Sequence, residues 1–206
     1  MCFCLAMAAV MGIAYSANLL TLFIFYELLT LSTYPLVAHK GTDVAKAGAR
    51  VYLGILMGTS IGFLLIAILW TWSITGTLDF SVGGILENEL PDGLLMLLFA
   101  LYVFGIGKAA LMPFHRWLPA AMVAPTPVSA LLHAVAVVKA GVFCVLKITV
   151  YVFGIDVLTS TSANSPIIWI ATATMLLASL VALQQDNLKA RLAYSTISQL
   201  AYIVLG

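Results

Sequence analysis

Three ionisable side chains lie inside long apolar runs, where a charge is difficult to accommodate. Glu27 follows residues 22–26, Lys108 ends the run that begins at Leu94, and Lys139 follows a run of alanine and valine. A charged residue at membrane depth costs roughly 2.5–3.5 kcal/mol on insertion scales, so such residues usually serve a function. Because burial and neighbouring charges change the pKa values of acids and amines, one carboxylate and two amines in one bilayer predict a charge relay.

The composition fits a membrane protein and excludes a soluble globular domain. Of the 206 residues, 63% are hydrophobic and 8% are charged, and the mean hydropathy is +1.12. The net charge of +1 gives no basic surface for nucleic acid. The sequence contains no glycine-rich phosphate loop, nucleophile elbow or metal-ligand spacing, and Cys2, Cys4 and Cys144 match no zinc or redox pattern. We therefore expect a single membrane domain over residues 1–206, without a cofactor, a bound metal or catalytic residues.

Apolar segments recur along the chain at the length of about 20 residues that a membrane-spanning helix needs. They run from about Cys2 to Ala17, Asn18–Ala38, from about Ala49 to Trp72, from near Gly93 onwards, Pro127–Phe153, Pro166–Leu183, and from near Lys189 to the end. This predicts an all-α polytopic membrane protein with about seven transmembrane helices. The ends of the sequence interrupt the first and last segments, so we expect part of a longer protein that does not translocate ions alone.

The charged loops between these segments alternate in sign. One set is basic and the other acidic: Lys40, Lys46, Arg50, Arg116, Lys189 and Arg191 against Asp79, Glu87, Glu89, Asp92 and Asp156. Because basic loops are retained on the cytoplasmic side, the first set is predicted to face the cytoplasm. We expect a multi-pass protein of the inner (plasma) membrane of a bacterial cell.

The fourth segment contains the predicted helix break. Its helical pattern runs from Gly93 to Val123, longer than one span requires, and Pro113 interrupts it. Proline removes a backbone hydrogen bond and kinks a helix, and at membrane depth the freed carbonyl groups need a partner. We expect these carbonyls to receive the ammonium of Lys108, because discontinuous helices mark ion sites in transporters; an ordinary kink is the alternative. We also expect an ion pair or a water-linked pair between Lys108 and Glu27. The alternatives for Glu27 are a purely structural salt bridge or a protonated acid that the lipid tolerates.

Other polar residues have both a functional and a structural interpretation. His133, whose reference pKa lies near physiological pH, could relay protons or only form a packing hydrogen bond. Lys147 lies nearer the end of the fifth segment, where it could snorkel to the interface or take part in proton transfer. His115 and Trp117 are expected to anchor the chain at the membrane interface.

Three stretches of the sequence resemble one protein family. They are residues 25–28 (Phe-Tyr-Glu-Leu), residues 107–134, which begin Gly-Lys-Ala-Ala-Leu-Met-Pro-Phe-His-Arg-Trp-Leu-Pro, and residues 187–199. The middle stretch is long and very specific. Together they resemble the antiporter-like subunits shared by NADH:quinone oxidoreductase (respiratory complex I) and the multi-subunit Mrp-type cation/proton antiporters.

This resemblance implies a fold of two inverted five-helix repeats, each with a broken helix. Residues 1–153 would form the first repeat and residues 164–206 the start of the second, whose own broken helix is absent from the sequence. The complete proton path is therefore left open. Carried over by position, the family's pathway residues are Glu27, Lys108, His133 and Lys139. Lys147 is a further candidate for the pathway from its own position in the sequence, not from the resemblance.

We therefore expect a proton-translocating, antiporter-like subunit of a hetero-oligomeric complex in the lipid bilayer, with Na⁺/proton antiport as the preferred activity. Residues 33–42, and Lys139 together with His133, favour the Mrp D-type subunit. The first alternative is a proton-pumping membrane-arm subunit of NADH:quinone oxidoreductase or a related hydrogenase. No residue here is of a type and spacing that binds NADH, flavin or an iron–sulfur cluster, so redox sites would lie in partner subunits. The second alternative is a structural membrane scaffold.

Overall fold

The computed structural model describes residues 1–86, 90–132, 136–161 and 164–206, and within these ranges the regular elements are helices. The α-helices in chain order are α1 (Cys2–Ala14), α2 (Leu19–Val37), α3 (Asp43–Thr59), α4 (Leu65–Thr75), α5 (Asp92–Gly105), α6 (Trp117–Ala120), α7 (Thr126–Ala130), α8 (Val137–Ile148), α9 (Ile155–Thr161), α10 (Ser165–Leu183) and α11 (Leu188–Leu205). A π-helical turn, Ser60–Leu64, joins α3 to α4, so that Asp43–Thr75 is one continuous helix.

Three helices among the described residues are long and apolar enough to cross a membrane: Leu19–Val37, Asp43–Thr75 and Ser165–Leu183. A fourth span results if Val137–Phe153 and Ile155–Thr161, which meet at an angle of 81°, are taken together. The prediction of an all-helical membrane protein is confirmed, because the described elements are helices and several of them are long and apolar enough to span a membrane. The number of seven spans is not confirmed, because α1 and α5 have only 13 and 14 residues.

Capping residues set the first turns of α2 and α3. Asn18 Oδ1 accepts a hydrogen bond from the backbone N–H of Thr21 (2.8 Å), and Thr42 Oγ1 accepts one from the backbone N–H of Ala45 (3.2 Å). Each cap satisfies a donor that has no partner within the helix. The start of α2 agrees with the prediction, whereas α3 begins at Asp43, earlier than its apolar run indicates.

The fifth predicted segment, Pro127–Phe153, is not one helix. α7 ends at Ala130, α8 begins at Val137, and a π-helical turn, Thr149–Phe153, follows α8. The backbone N–H of Ala136 donates to the carbonyl of Leu131 (2.9 Å), which is π-helical rather than α-helical spacing. The helix is therefore interrupted at Ala136, directly before α8 begins.

The start of α2 lies among the loops that were predicted to be acidic. Leu19 N–H donates to Leu78 O (2.9 Å), and Ile85 N–H donates to Val152 O (2.9 Å). These bonds bring together the turn after α1, the loop after α4 and the chain after α8. The acidic residues predicted on this side that lie outside the described residues are Glu87 and Glu89.

The segments that carry the basic residues make contacts with one another at a different place from the acidic loops. A Cβ atom built on Gly48 of α3 would lie 2.6 Å from Ala120 O, so the first turns of α3 pack directly against α6. Lys189 Nζ, in the first turn of α11, donates to Ala124 O (3.0 Å). The first turns of α3, the segment after α6 and the start of α11 therefore lie close together.

Candidate functional site

α5 ends in a wide break rather than at a single proline kink. The helix stops at Gly105, Gly107–Ala109 forms one 3₁₀ turn, and Ala110 then adopts a left-handed conformation with φ 56°. Pro113 lies farther along this non-helical segment, so the break begins earlier than the predicted kink. A left-handed φ at a residue other than glycine costs roughly 1–2 kcal/mol, and Ala110 adopts it in a fully buried position.

Neighbouring elements pack closely around the break. A Cβ atom on Gly105 would overlap the backbone of the π-helical turn after α3, and one on Gly107 would overlap Oγ1 of Thr59. On another side, a Cβ atom on Gly141 of α8 would lie 2.5 Å from the carbonyl carbon of Lys108. These glycines let backbones approach as small residues do between membrane helices.

The ammonium group of Lys108 is fully buried and is held by α2. Nζ donates to the main-chain oxygen of Tyr26 (2.9 Å) and to Oγ1 of Thr30 (2.7 Å), and it lies 3.1 Å from the centroid of the Tyr26 ring. The ring face is a favourable site for a cation. The acceptors are therefore on another helix, which corrects the prediction that carbonyl groups freed before Pro113 receive the ammonium.

α2 can provide these acceptors because it has hydroxyl groups on one buried face. Tyr26, Thr30 and Thr33 are spaced by four and three residues and are fully buried, which places them on one side of the helix. Thr30 Oγ1 donates to Tyr26 O (3.2 Å), and its lone pairs are left free to accept from a cation. Thr33 Oγ1 makes a hydrogen bond with the hydroxyl of Tyr52 on α3 (2.6 Å).

Trp117 links the break to α3 through a hydrogen bond and a ring contact. Its indole N–H donates to Gly107 O (2.9 Å), and its ring packs edge-on against Tyr52 with centroids 5.6 Å apart. Trp117 is fully buried, so its predicted role as an interfacial anchor is corrected to a core contact. A buried indole needs a hydrogen-bond acceptor, and the carbonyl exposed by the end of α5 provides one.

Glu27 lies beside this site without a partner. It follows Tyr26 directly and precedes Thr30 by three residues, and both of its carboxylate oxygens are buried and lack a hydrogen-bond partner. The predicted direct ion pair with Lys108 is therefore wrong, and a water-linked pair stays a prediction. A buried carboxylate requires a proton or a cationic partner, so Glu27 is a potential second acceptor for a mobile ammonium.

The other two predicted pathway residues are not placed at this site. Lys139 is exposed and shares the outward face of α8 with Phe143 and Leu146. His133 lies outside the described residues. α8 touches the break through Gly141, but the onward route from the break stays a prediction.

Lys147 of α8 caps the end of α1. Its Nζ donates to Ser16 O (2.7 Å), Ser16 Oγ (3.0 Å) and Ala14 O (3.2 Å), and the rings of Phe80 and Phe143 lie 4.7 and 5.6 Å away. The last carbonyl groups of a helix have no partner within it and attract cations. Of the two interpretations left open for Lys147, this geometry supports the structural one.

Tyr26 and Thr30 are the functional candidates that the sequence reasoning missed. A usable signal was present, because their hydroxyl groups share a face in an otherwise apolar helix next to Glu27. Gly141 was missed as well, since a single glycine in a membrane helix is compatible with many roles.

The chemistry available at the break is that of donors, acceptors and charge. In the described part of the chain no group of three or more His, Cys, Asp or Glu side chains could hold a metal ion. The groups that converge here are an amine, a carboxylate and two hydroxyl groups, from Lys108, Glu27, Thr30 and Tyr26. Such groups can hold a proton and exchange it between sites.

Comparison with known proteins gives consistent results. A family model described as "NADH:quinone oxidoreductase/Mrp antiporter, TM" matches residues 16–206. NAD(P)H-quinone oxidoreductase chain 5 of Picosynechococcus sp. is 34% identical over 206 residues, covering 97% of this chain and 30% of that protein. This chain therefore spans less than a third of the length of that curated relative.

Two solved structures have a similar fold. The Mrp complex from Dietzia sp. contains a chain that matches with a TM-score of 0.85 and 31% identity, covering 99% of this chain and 22% of that one. The membrane-bound sulfane sulfur reductase, an archaeal respiratory membrane complex, matches with a TM-score of 0.84 and 30% identity, covering 99% of this chain and 42% of that one.

Proposed function

Because the chain belongs to the NADH:quinone oxidoreductase/Mrp antiporter membrane family, we propose that it forms the proton-translocating core of an antiporter-like subunit in a multi-subunit membrane complex. The observation that carries this proposal is the fully buried ammonium of Lys108, which lies in a helix break beside the unpartnered carboxylate of Glu27. Burying both groups as ions is costly unless they pair or one of them is neutralised by gaining or losing a proton.

Lys108 is the proposed proton carrier, and Glu27 controls its charge. A carboxylate close to an amine stabilises the protonated amine, and withdrawal of that carboxylate favours proton release. In a low-dielectric interior this interaction is strong, so a small movement of the ammonium between α2 acceptors changes how readily it gives up its proton. The break after α5 supplies the necessary freedom, because Lys108 is not fixed within a continuous helix.

The onward path is proposed to run through His133 and Lys139. The exposed position of Lys139 supports a further membrane segment or subunit over this face of α8, because a charge facing hydrocarbon is costly. We propose that this cover comes from the remainder of a longer subunit or from a neighbouring membrane subunit. We likewise propose residues 1–153 as the first inverted repeat and residues 164–206 as the start of the second.

The test is Lys108→Ala in the complete complex, reconstituted in liposomes and measured with a pH-sensitive dye. We expect proton translocation per assembled complex to fall roughly tenfold or more. Lys40→Ala, which removes a lysine from a loop, is the matched control and should behave like the wild type. An unchanged rate in Lys108→Ala would reject the proposal, and a loss of assembly alone would favour a structural scaffold.

The driving force is a separate proposal, because the relatives include both an Mrp complex and quinone oxidoreductases. We propose monovalent cation (Na⁺)/proton antiport in a D-type setting, with redox-driven pumping as the second candidate, favoured by the similarity to chain 5 of the oxidoreductase. Proton movement driven by a Na⁺ gradient without an electron donor would support antiport. Movement that requires an electron donor and quinone would support the second candidate.

We propose that the basic segments face the cytoplasm of a bacterial cell and that the loop after α4 faces outward. Single cysteines at Thr42 and Val82, labelled from each side of the inner membrane with an impermeant reagent, test this orientation. The parent for both variants should lack the free cysteines, Cys2, Cys4 and Cys144. Labelling of both positions from the same side would contradict the proposed topology.

A further inference from the structure

Building on the proposed function, we propose that Thr30 is a positioning residue that holds the Lys108 ammonium away from Glu27. Together with the main-chain oxygen of Tyr26, its hydroxyl forms a neutral cradle that competes with the carboxylate for the same cation. The cradle and the carboxylate would be the two resting positions between which Lys108 moves in each transport cycle.

The contacts in the cradle are short and specific. Nζ of Lys108 lies 2.7 Å from Thr30 Oγ1 and 2.9 Å from Tyr26 O, and Thr30 Oγ1 lies 3.2 Å from the same carbonyl. Thr30 and Lys108 are both 0% exposed, so water does not compete for these bonds. Hydrogen bonds to a charged donor are stronger than neutral ones, and they therefore offer a real alternative to the carboxylate.

Glu27 does not hold the ammonium in this structure, although it lies one residue from Tyr26 and three from Thr30 along α2. Its backbone lies between the two cradle residues along α2, and neither of its oxygens has a hydrogen-bond partner. An ammonium has three donors, and the cradle uses two of them. In the proposed cycle, the donor that remains lets the ammonium exchange one α2 acceptor for the other.

The surroundings contain few other groups that could bias this exchange. Among the described residues, the titratable side chains that interact electrostatically with Lys108 or Tyr26 are Tyr26 and Glu27 on α2, Tyr52 on α3 and Cys144 on α8. Tyr52 is bonded to Thr33, and the Tyr26 hydroxyl is bonded to the backbone N–H of Lys108. Of the described neighbours, Glu27 is therefore the acid that competes directly with the cradle.

The distinguishing experiment compares substitutions at Thr30 in the complete complex. Thr30→Val keeps the shape of the side chain but removes the hydroxyl group, so Lys108 should stay with Glu27 and proton translocation per assembled complex should fall about tenfold. Thr30→Ser keeps the hydroxyl group and should restore a rate close to the wild type. If Thr30→Val fails to assemble, Thr30→Ala against Thr30→Ser gives the same contrast.

Thr71→Val is the matched control. Thr71 is also fully buried, donates to the carbonyl four residues earlier (Ala67, 2.9 Å) and bonds one distant side chain, the hydroxyl of Tyr102 (2.7 Å), but it does not touch Lys108. The complex that carries Thr71→Val should retain nearly wild-type transport. The cradle proposal would be rejected if Thr30→Val and Thr71→Val lowered proton translocation equally. It would also be rejected if Thr30→Val and Thr30→Ser lowered it equally. Wild-type transport in Lys108→Ala would instead reject the proposed function itself.

Discussion

Lys108 and Lys147 present the same chemical group in two different settings. Both ammonium groups are held by main-chain and hydroxyl oxygens rather than by a carboxylate. Lys147 has contacts to Ser16 and to the last carbonyl groups of α1, including Ile13 O at 3.5 Å. Lys108 has two acceptors on α2 and an unpartnered acid, Glu27, within the same turns of the helix.

The difference lies in what each lysine can exchange. An ammonium has three donors, and at Lys147 the oxygens at the end of α1 can satisfy all of them, with no carboxylate of the described residues bonded to it. That arrangement closes a helix end and holds α1 against α8. Lys108 has one donor that no hydrogen bond uses, which faces the Tyr26 ring, and Glu27 is its proposed second acceptor. Under the proposed mechanism, Lys108 is a movable charge because α2 offers it two acceptor positions, whereas Lys147 is an anchor because the end of α1 offers it one.

Glu27→Gln tests this comparison most severely, because it removes the competing acid while preserving its shape. Lys108 keeps its two neutral acceptors, so the complex should assemble, but its ammonium loses the charged position. We expect proton translocation to fall roughly tenfold or more. Glu27→Asp should retain part of the activity. The comparison fails if Glu27→Gln, expressed and assembled at normal levels, pumps at the wild-type rate.

Gly141→Ala tests whether the position of the break matters, with a smaller expected effect. The new Cβ atom would lie 2.5 Å from the carbonyl carbon of Lys108 and 2.6 Å from the amide nitrogen of Ala109. Overpacking of this kind costs typically 1–3 kcal/mol, so we expect a lower melting temperature of the purified complex and slower transport.

The control for this variant is Gly54→Ala. Gly54 lies on the exposed face of α3, and a Cβ atom there meets nothing within 4 Å. Alanine is favoured over glycine within a helix by up to about 1 kcal/mol, so this variant should be neutral or slightly more stable. Equal melting temperatures for the two variants would show that the contact between α8 and the break is not tight.

The longest unbroken helices were predictable, since the signals that define them are local. α2 and α10 follow from apolar runs of spanning length, and a capping asparagine marks the first of them. The end of α5 was not predictable from such signals. The helix stops at Gly105, where the π-helical turn after α3 approaches its backbone, and that contact is made by residues distant in the sequence.

The charged residues of the site were predictable from the sequence, but the acceptors of the ammonium were not, because they depend on contacts between distant helices. Lys108 and Glu27 are visible in the sequence because a charge within an apolar run is costly wherever the chain folds. The identity of the acceptor was not visible, because it depends on how α2 is rotated against the break. That rotation places Thr30 and Tyr26 O, rather than the carboxylate, within reach of Nζ.

Lys147→Met tests the structural lysine of the comparison and has the smallest expected effect. The substitution keeps an unbranched apolar stem but leaves the carbonyl groups of Ala14 and Ser16 without their cation. An unsatisfied buried acceptor costs about 1–3 kcal/mol, and because part of this site is exposed, we expect a loss near 1 kcal/mol. Thermal unfolding of the purified complex should detect it as a modest decrease in melting temperature.

Transport per assembled complex should stay at the wild-type level, because nothing at this site exchanges a proton with the break. A tenfold loss of transport with unchanged stability would place Lys147 on the proton path and remove the distinction between anchor and movable charge.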